Sequence, residues 1–586
     1  MKRKLWLLGA AIAALALTVS GATAAVGDRE VSVGSPSSPF SQNKQNEPAL
    51  AMDASNELVL AAGSNDNIDM EACNAGDPTT CPFTAGVGGS GIHFSFDGGK
   101  TWTQPTYTGL TARHCLGPEE CVPRVGPIGT LPWYFENGLV SDGDPALAFG
   151  PRPGPNGFSW ANGSRLYYAN LTSNLGSKKD ETFKGFEAIY VSRTDNPQVA
   201  AQGGAAGKAA WMHPVRVSKQ SSATFADKEQ IWADNAASSP FFGNVYVCWA
   251  NFVGAGSAPL VVATSRDGGS TWAQQHVTPA HNVAPKHWGQ SGCTIRTDSH
   301  GVAYVFFQEF QNPAKVGLPP TGTHTLVKSF DGGATWTKPL RLYTVIDPCF
   351  ALNFDGSGLR CVEDGLAGAR NDLSASPSVS IANGAPTGAG ATNQIVNAWA
   401  DGRDGLNGED VMFSTSTAGG NPGTWSAPRR IQTGPNDRGY YAAPAISPTG
   451  GDVWVVYNAF TTPFQTTTTT PRGLVGVVIH ASVSPAGAVG AFTEVHRGAT
   501  GDPRASSQNN LVLEFLGDYV YAVAGHTYAA AVWNDAREGD DCPAIDVWRA
   551  GVQTATTADD VPRPAPQQDC PPRFGNTDIF GWTSAP

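Results

Sequence analysis

Three residues with side chains suited to bond cleavage lie at the ends of strand-like segments. Asp144 precedes PALAFG, Glu309 lies near the end of VAYVFFQEF, and Tyr441 precedes AAPAIS. Carboxyl groups can donate or remove protons, and a tyrosine oxygen can attack as a nucleophile. We therefore expect Tyr441, Glu309 and Asp144 to be the catalytic residues.

Three arginines accompany these groups, two of them in a repeated pattern. Arg403 ends Trp-Ala-Asp-Gly-Arg, Arg537 ends Trp-Asn-Asp-Ala-Arg, and Arg438 stands just before Tyr441. A guanidinium binds a carboxylate through two parallel hydrogen bonds, which suits acidic sugars. The sequence thus predicts a substrate-binding set of Arg403, Arg438, Arg537, Asp401 and Asp535. The alternative is that the Asp–Arg pairs form salt bridges between neighbouring structural units.

One motif, Ser-x-Asp-Gly-Gly-x-Thr-Trp, occurs three times: at 95–102, 265–272 and 329–336. Paired glycines supply the positive φ angles of a tight hairpin turn, and an aspartate at the turn accepts hydrogen bonds from nearby backbone N–H groups. The tryptophan packs over the hairpin. A structural role is expected for the repeated acids and tryptophans, which are Asp97, Trp102, Asp267, Trp272, Asp331 and Trp336.

The motifs belong to a wider pattern of repeated β-hairpins. Seven related hairpins occupy 46–66, 142–171, 229–252, 291–310, 376–405, 443–460 and 513–539. A second hairpin after a first makes a four-stranded antiparallel unit, and such units in series indicate the blades of a propeller. The sequence predicts an all-β fold with a single β-propeller of seven blades, or of six if the last hairpin only closes the ring. Residues at the start of each first strand and the end of each second strand then share one face, opposite the repeated motif.

The repeated motif is the Asp box, and with the hairpin pattern it makes the chain resemble the sialidase-like superfamily of BNR-repeat propellers. An exo-α-sialidase of that superfamily uses an arginine triad for the substrate carboxylate, a tyrosine nucleophile activated by a glutamate, and an aspartate acid/base. In place of the Arg-Ile-Pro that opens the first blade of those enzymes, this chain has Asn46-Glu47-Pro48. Two functions stay open: a glycoside hydrolase of sialidase-like type acting on an acidic sugar, and a non-catalytic propeller that binds glycan or protein.

Composition restricts the class of partner. The formal net charge of −12 argues against binding to nucleic acid or to anionic membranes. High glycine, proline and tryptophan counts with 15% charged residues are typical of a turn-rich β protein. We expect a monomer that binds carbohydrate, without a cofactor or a metal and without membrane insertion.

The chain begins with Lys2-Arg3-Lys4, an apolar run and small residues near Ala24, the pattern of a secretory signal peptide. We expect a signal peptide over 1–25, the propeller over 26–553, a C-terminal surface tail over 554–586, and secretion. Export makes the ten cysteines candidates for disulfides, and pairing of sequence neighbours is expected. The pairs would be Cys73–Cys81, Cys115–Cys121, Cys248–Cys293, Cys349–Cys361 and Cys542–Cys570.

Overall fold

Short runs of valine, isoleucine, alanine and aromatic residues, separated by glycine- and aspartate-rich turns, fold as antiparallel strands. The computed structural model describes residues 27–33, 44–71, 84–116, 120–254, 257–279, 288–312, 316–352, 361–365, 370–373, 375–506, 516–555 and 560–586. The predicted signal peptide over 1–25 lies outside these residues. The described part of the chain is all-β, built mostly of four-stranded sheets.

The strands follow one another along the chain in seven larger sheets and two smaller ones. After β1 (Arg29–Glu30), sheet 1 contains β2 (Gln45–Met52), β3 (Leu60–Asp66) and β4 (Ser90–Ser95), and a two-stranded ribbon of β5 (Tyr107–Thr111) and β6 (Arg124–Ile128) follows. Sheet 2 contains β7 (Leu139–Gly154), β8 (Gly157–Asn174), β9 (Ala188–Thr194) and β10 (Trp211–Arg216). Sheet 3 contains β11 (Thr224–Ala233), β12 (Val245–Val253), β13 (Leu260–Ser265) and β14 (Ala273–His276).

The second half of the chain continues the series. Sheet 4 contains β15 (Trp288–Thr297), β16 (Ala303–Gln311), β17 (Thr321–Ser329) and β18 (Leu340–Ile346), followed by a small sheet of β19 (Ala351–Leu352), β20 (Cys361–Val362) and β21 (Arg370–Asn371). Sheet 5 contains β22 (Ser378–Ile381), β23 (Ile395–Asp401), β24 (Asp410–Ser416) and β25 (Arg429–Arg430). Sheet 6 contains β26 (Arg438–Ile446), β27 (Asp452–Phe460), β28 (Leu474–Ser482) and β29 (Thr493–Arg497). Sheet 7 contains β30 (Tyr521–Ala524), β31 (Ala529–Asp535) and β32 (Asp578–Thr583), with β1 at its edge.

Helices are few and short. They are α1 (Pro197–Ala200), α2 (Gly204–Ala209), α3 (Pro543–Thr554) and α4 (Pro566–Asp569), with 3₁₀ turns at Phe135–Asn137 and Pro503–Ala505. Within the described residues, none of the helices has the length and apolar character needed to cross a membrane.

The first strands of the seven sheets contact one another in cyclic order. β2 contacts β7, and the contacts continue through β11, β15, β22, β26 and β30 back to β2. Apolar side chains fill the space between neighbouring sheets, where Trp249, Trp399 and Trp533 are fully buried. This arrangement is that of a β-propeller, with the first strands around a central axis.

The two ends of the chain meet in sheet 7. Strand β32 lies between β1 and β31, with Arg29 opposite Gly581 and Val532 opposite the same glycine. The sequence predicts a surface tail over 554–586. In the structure, part of this segment is instead β32, an inner strand of sheet 7. Its Ile579 and Phe580 are buried, so the segment contributes to the core.

Disulfides cross-link the sheets and their connecting segments. Cys115–Cys121, Cys349–Cys361 and Cys542–Cys570 join residues close in sequence, whereas Cys248–Cys293 links sheet 3 to sheet 4. These four pairs are confirmed as predicted; Cys73 and Cys81 lie outside the described residues.

The three repeats form the same hairpin turn. In the first, Asp97 Oδ1 accepts hydrogen bonds from the Ser95 hydroxyl at 2.9 Å and from the Thr101 N–H at 2.9 Å, while Oδ2 accepts one from the Thr101 hydroxyl at 2.6 Å. Gly98 and Gly99 have φ angles of 74° and 90°, which only glycine adopts at low cost. Asp267 and Asp331 repeat this network, and Trp102, Trp272 and Trp336 pack against the adjacent core.

Candidate active site at the propeller axis

The first strands of three consecutive sheets begin with a β-bulge. At the bulges of β2, β7 and β11 the pairing register shifts, and a residue other than glycine has a positive φ: 54° at Glu47, 51° at Asp144 and 60° at Lys228. Such a conformation costs about 1–2 kcal/mol for an ordinary residue. Backbone strain of this kind is typical of functional sites, so the place where the side chains of these three bulges meet is the candidate site.

These bulges bring Lys228 into a group of carboxyls. Its Nζ lies 2.5 Å from Asp518 Oδ2, 3.2 Å from Asp144 Oδ2, 3.8 Å from Asp227 Oδ1 and 3.9 Å from Glu47 Oε1. The side chains of Lys228, Asp144 and Asp518 are only 10%, 12% and 0% exposed. One buried ammonium thus joins acids from sheets 1, 2 and 3 and from the segment that leads into sheet 7. We call these five residues the axial cluster.

Burial and the ammonium move the pKa values of the acids in opposite directions. Burial alone would raise the pKa of Asp144 and of Asp518. The Lys228 charge and hydrogen bond, together with hydrogen bonds from the neighbouring acids at Asp144 and the Arg370 charge at Asp518, outweigh it, so both pKa values lie below the usual range. Burial dominates for Glu47, whose pKa is raised well above its usual value, with a further rise from the Asp144 charge. Burial also raises the pKa of Asp227 to about 6. At neutral pH the cluster therefore contains both carboxylates and a neutral carboxylic acid.

A small cavity of about 60 Å³ lies next to the axial cluster. Glu229, Asp518 and Tyr441 are among its lining residues. The Tyr441 hydroxyl donates a hydrogen bond to Asp518 Oδ1 at 3.2 Å. Neither carboxyl oxygen of Glu229 has a hydrogen-bond partner in the described residues, although this side chain is buried. Burial and the Asp144 charge raise the pKa of Glu229 well above its usual value, so the cavity has a neutral acid on its wall.

Two cationic side chains besides Lys228 lie near this cavity. Arg370 faces Asp372 at 3.4 Å, and the charges of Asp372 and Asp518 keep its pKa raised against the effect of burial. Arg296 is on the cavity wall itself.

Of the three residues predicted to be catalytic, the structure brings two together. Asp144 belongs to the axial cluster, and Tyr441 donates to Asp518 within it. Glu309 accepts a 2.8 Å hydrogen bond from the side chain of Arg341 on β18, the last strand of sheet 4. The fold thus places Glu309 apart from the other two.

The arginines predicted to bind substrate are held in separate ion pairs. Arg403 makes two hydrogen bonds to Asp401, at 2.8 and 2.7 Å. Arg438 makes two to Glu409, both at 2.7 Å, and its side chain is 4% exposed.

The third arginine, Arg537, is the most enclosed. It binds Asp535 through two hydrogen bonds, at 2.9 and 2.6 Å, contacts Asp28 as well, and lies over the ring of Phe580. None of Arg403, Arg438 and Arg537 lines the cavity of the axial cluster. Arg403 and Arg537 form salt bridges, as in the alternative drawn from the sequence, but each binds the aspartate two residues earlier in its own sheet rather than an acid of a neighbouring unit.

Sequence reasoning missed Lys228 and Asp518. Lys228 stands between Asp227 and Glu229, a pattern typical of a solvated strand end, and only the bulge turns it toward the axis. Asp518 follows Gly517 just before β30, and that glycine was the available signal for an irregular backbone.

One grouping of metal-ligand atoms occurs within the described ranges. It consists of Glu71, Cys115 and Cys121, and the two sulfurs are already bonded to each other. The axial cluster does not provide such a grouping in the part of the chain that the structure covers.

No protein-family model and no curated protein matches this chain. Among solved structures, the Hadza microbial sialidase Hz136 is similar with 13% identity and a TM-score of 0.38, over 71% of this chain and 63% of the sialidase. The α-L-arabinofuranosidase Arb93A from Fusarium graminearum is similar with 11% identity and a TM-score of 0.38, over 82% of this chain and 98% of that protein. An α-L-arabinanase from Penicillium chrysogenum is similar with 13% identity and a TM-score of 0.35, over 66% and 88% of the two chains. At these identities and TM-scores, the similarities carry no argument about the site.

Proposed function

We propose that the protein is a secreted glycoside hydrolase whose active site is the cavity at the axial cluster. The observation that carries the proposal is the pairing of Glu229, a buried carboxyl without a hydrogen-bond partner, with Asp518, a carboxylate, on the wall of one cavity. Hydrolysis of a glycosidic bond uses one neutral carboxylic acid and one carboxylate on opposite sides of the bond. Environments that push the pKa values of two carboxyls apart supply that division of roles.

In this proposal Glu229 is the general acid. Its raised pKa keeps the proton available at neutral pH, and its oxygens are not held by another protein group. The proton passes from Glu229 to the glycosidic oxygen as the bond to the sugar carbon breaks.

Asp518 is the carboxylate on the other side. The charges of Lys228 and Arg370 keep it ionised, and Tyr441 holds one of its oxygens by a hydrogen bond. Asp518 either stabilises the positive charge that develops on the sugar or removes a proton from the attacking water.

Tyr441 has a positioning role in this account. Burial and the nearby Tyr440 and Asp518 raise its pKa well above the ordinary value, so its phenol stays protonated. A protonated phenol is a hydrogen-bond donor rather than a nucleophile.

A neutral sugar is the substrate class we propose. The acidic-sugar hypothesis depended on Arg403, Arg438 and Arg537, each of which already binds a carboxylate. In the axial cluster, Lys228 likewise faces carboxylates. The guanidinium of Arg296 lies over the ring of Trp232, which is not part of the lining of this cavity. Hydroxyl groups of a neutral glycan can donate to the acids and accept from the tyrosine.

The division of the chain into a signal segment and seven blades is part of the same proposal. Sheets 1–7 are the seven blades of one propeller, because each contributes its first strand to the cyclic contacts. Residues 1–25 are a removable secretion signal, and 26–553 with the closing strand β32 form the catalytic unit. Disulfides in the described residues fit an oxidising compartment.

The test is turnover by the purified mature protein of a panel of neutral and acidic aryl glycosides and oligosaccharides. Glu229→Gln and Asp518→Asn should each lower kcat by about 10²–10⁴-fold. Asp195→Asn is the matched control, because Asp195 is also ion-paired, to Arg165 at 2.6 Å, in sheet 2 and away from the cavity lining. Full activity in both site variants would refute the proposed roles.

A non-catalytic carbohydrate-binding propeller is the second candidate. One observation favours it: Lys228 already occupies the centre of the carboxyls and holds them in ion pairs. This candidate predicts saturable glycan binding that Asp518→Asn weakens, with no product formed from any glycan in the panel.

A further inference from the structure

A second, larger cavity lies at the opposite ends of the same first strands. Its volume is about 110 Å³, and turn residues such as Ala54 and Pro448 form part of its edge. The wall combines apolar residues, among them Leu147, Phe149 and Ile231, with polar residues such as Asn235 and Asn383. These turns follow the first strands, so this cavity lies on the face of the repeated hairpin turns, opposite the axial cluster.

Three side chains separate the two cavities. Gln230, Arg296 and Tyr521 line both of them. Tyr521 interacts with the other two side chains, which makes the three a connected partition across the axis.

Arg296 is a half-buried arginine whose guanidinium is held without an acid among the described residues. Its guanidinium lies over the ring of Trp232 at 4.8 Å, and Nη1 donates to the backbone oxygen of Ile295 at 2.7 Å. Within the described residues no carboxylate acts on it; burial lowers its pKa, and Tyr521 is the one side chain that opposes this effect. Arg438 and Arg537, by contrast, each bind carboxylates.

Glu57, the acid that lines this cavity in the described part of the chain, already has a partner. Glu57 accepts hydrogen bonds from the backbone N–H of His526 at 2.8 Å and faces the His526 ring at 2.6 Å. A cation that is partly withdrawn from bulk water and lacks an anion costs free energy, and a bound anion would lower that cost.

We propose that this second cavity binds a small organic monocarboxylate with an apolar body, such as an aromatic or short aliphatic acid. The carboxylate pairs with the Arg296 guanidinium, and the apolar body contacts the wall formed by Leu147, Phe149 and Ile231. The cavity volume of about 110 Å³ is of the same order as that of an apolar cavity of about 150 Å³ that holds benzene. This proposal does not rest on the hydrolase activity, although Arg296 also lines the cavity of the axial cluster.

Calorimetric titration of the mature protein with benzoate, benzamide and acetate tests the proposal. Benzoate should bind saturably at one site per chain. Benzamide, which has the ring without the charge, and acetate, which has the charge without the ring, should each bind at least tenfold more weakly.

Variants locate the site. Arg296→Gln should weaken benzoate binding at least tenfold, whereas Arg430→Gln, which alters a half-exposed arginine paired with Asp410, should leave it unchanged. If Arg296→Gln does not fold, the affinities of the unaltered protein for benzoate and benzamide show whether the carboxylate charge is required for binding. No saturable benzoate binding, equal affinity for benzamide, or an unchanged affinity in a folded Arg296→Gln variant would overturn the proposal.

Discussion

Replacing Lys228 by methionine removes the one ammonium of the axial cluster while keeping most of the unbranched side chain. Its Nζ lies 2.5 Å from Asp518 and 3.2 Å from Asp144, and all three side chains are at most 12% exposed. The relevant magnitude is therefore that of a buried ion pair that loses one partner, about 3–5 kcal/mol, rather than the 0–1 kcal/mol of a surface pair. We expect Lys228→Met to lower the free energy of unfolding by that amount at pH 7.5.

The loss should depend on pH in a defined direction. In the native protein the Lys228 charge is the largest of the interactions that together hold the pKa values of Asp144 and Asp518 below their usual values despite burial. A lowered carboxyl pKa contributes stability that is present above the unfolded value, about 3.9, and disappears as the pH falls through the folded value. The difference between wild type and Lys228→Met should therefore be large at pH 7.5 and shrink as the pH falls below 4.

Denaturant unfolding followed by tryptophan fluorescence at several pH values measures this difference. Lys338→Met is the matched control, because Lys338 is exposed on the segment before β18. A loss below 1 kcal/mol at pH 7.5, or a loss of the same size at pH 7.5 and pH 3.5, would refute the view that Lys228 neutralises the axial carboxylates.

Three further predictions concern other parts of the molecule. Asp331→Ala should lower the free energy of unfolding by about 1–3 kcal/mol without changing ligand binding. The reason is that the carboxylate of Asp331, within the described residues, accepts its hydrogen bonds from its own turn. Chemical denaturation and a parallel binding titration check both parts. Replacing Cys248 and Cys293 together by alanine should cost about 2–5 kcal/mol, since the bond closes a separation of 45 residues between two sheets; equal denaturation midpoints would contradict this. Glu229→Gln should raise stability at pH 8 relative to wild type, because a carboxyl whose pKa is raised on folding opposes folding once the pH exceeds the unfolded value; a lower unfolding midpoint at pH 8 would count against a neutral Glu229.

Much of the fold could be predicted from the sequence because local residue patterns specify its hairpins and turns. Alternating apolar residues define the hairpins, and the glycine pairs of the repeats fix their turns, as Gly98 and Gly99 show. The closing strand β32 escaped notice because its partners, β1 and β31, are set by the meeting of the chain ends, which no local pattern records.

The candidate site was less readable because it depends on the path of the backbone. Topology correctly placed Asp144 and Tyr441 at the axis, since both lie at the start of a first strand. Topology also grouped Arg403 and Arg537 with them, whereas each turns back onto the aspartate two residues earlier. Lys228 was missed because a bulge, rather than regular strand alternation, directs its side chain.

The measurement that tests the central claim most directly is the rate of glycoside hydrolysis by wild type, Asp518→Asn and Asp195→Asn on the same substrate panel. The account predicts cleavage of at least one neutral glycoside by wild type and by Asp195→Asn, and a loss of at least a hundredfold in Asp518→Asn. Cleavage that survives in Asp518→Asn, or no cleavage of any glycoside by the wild type, would contradict an active site at the axial cluster.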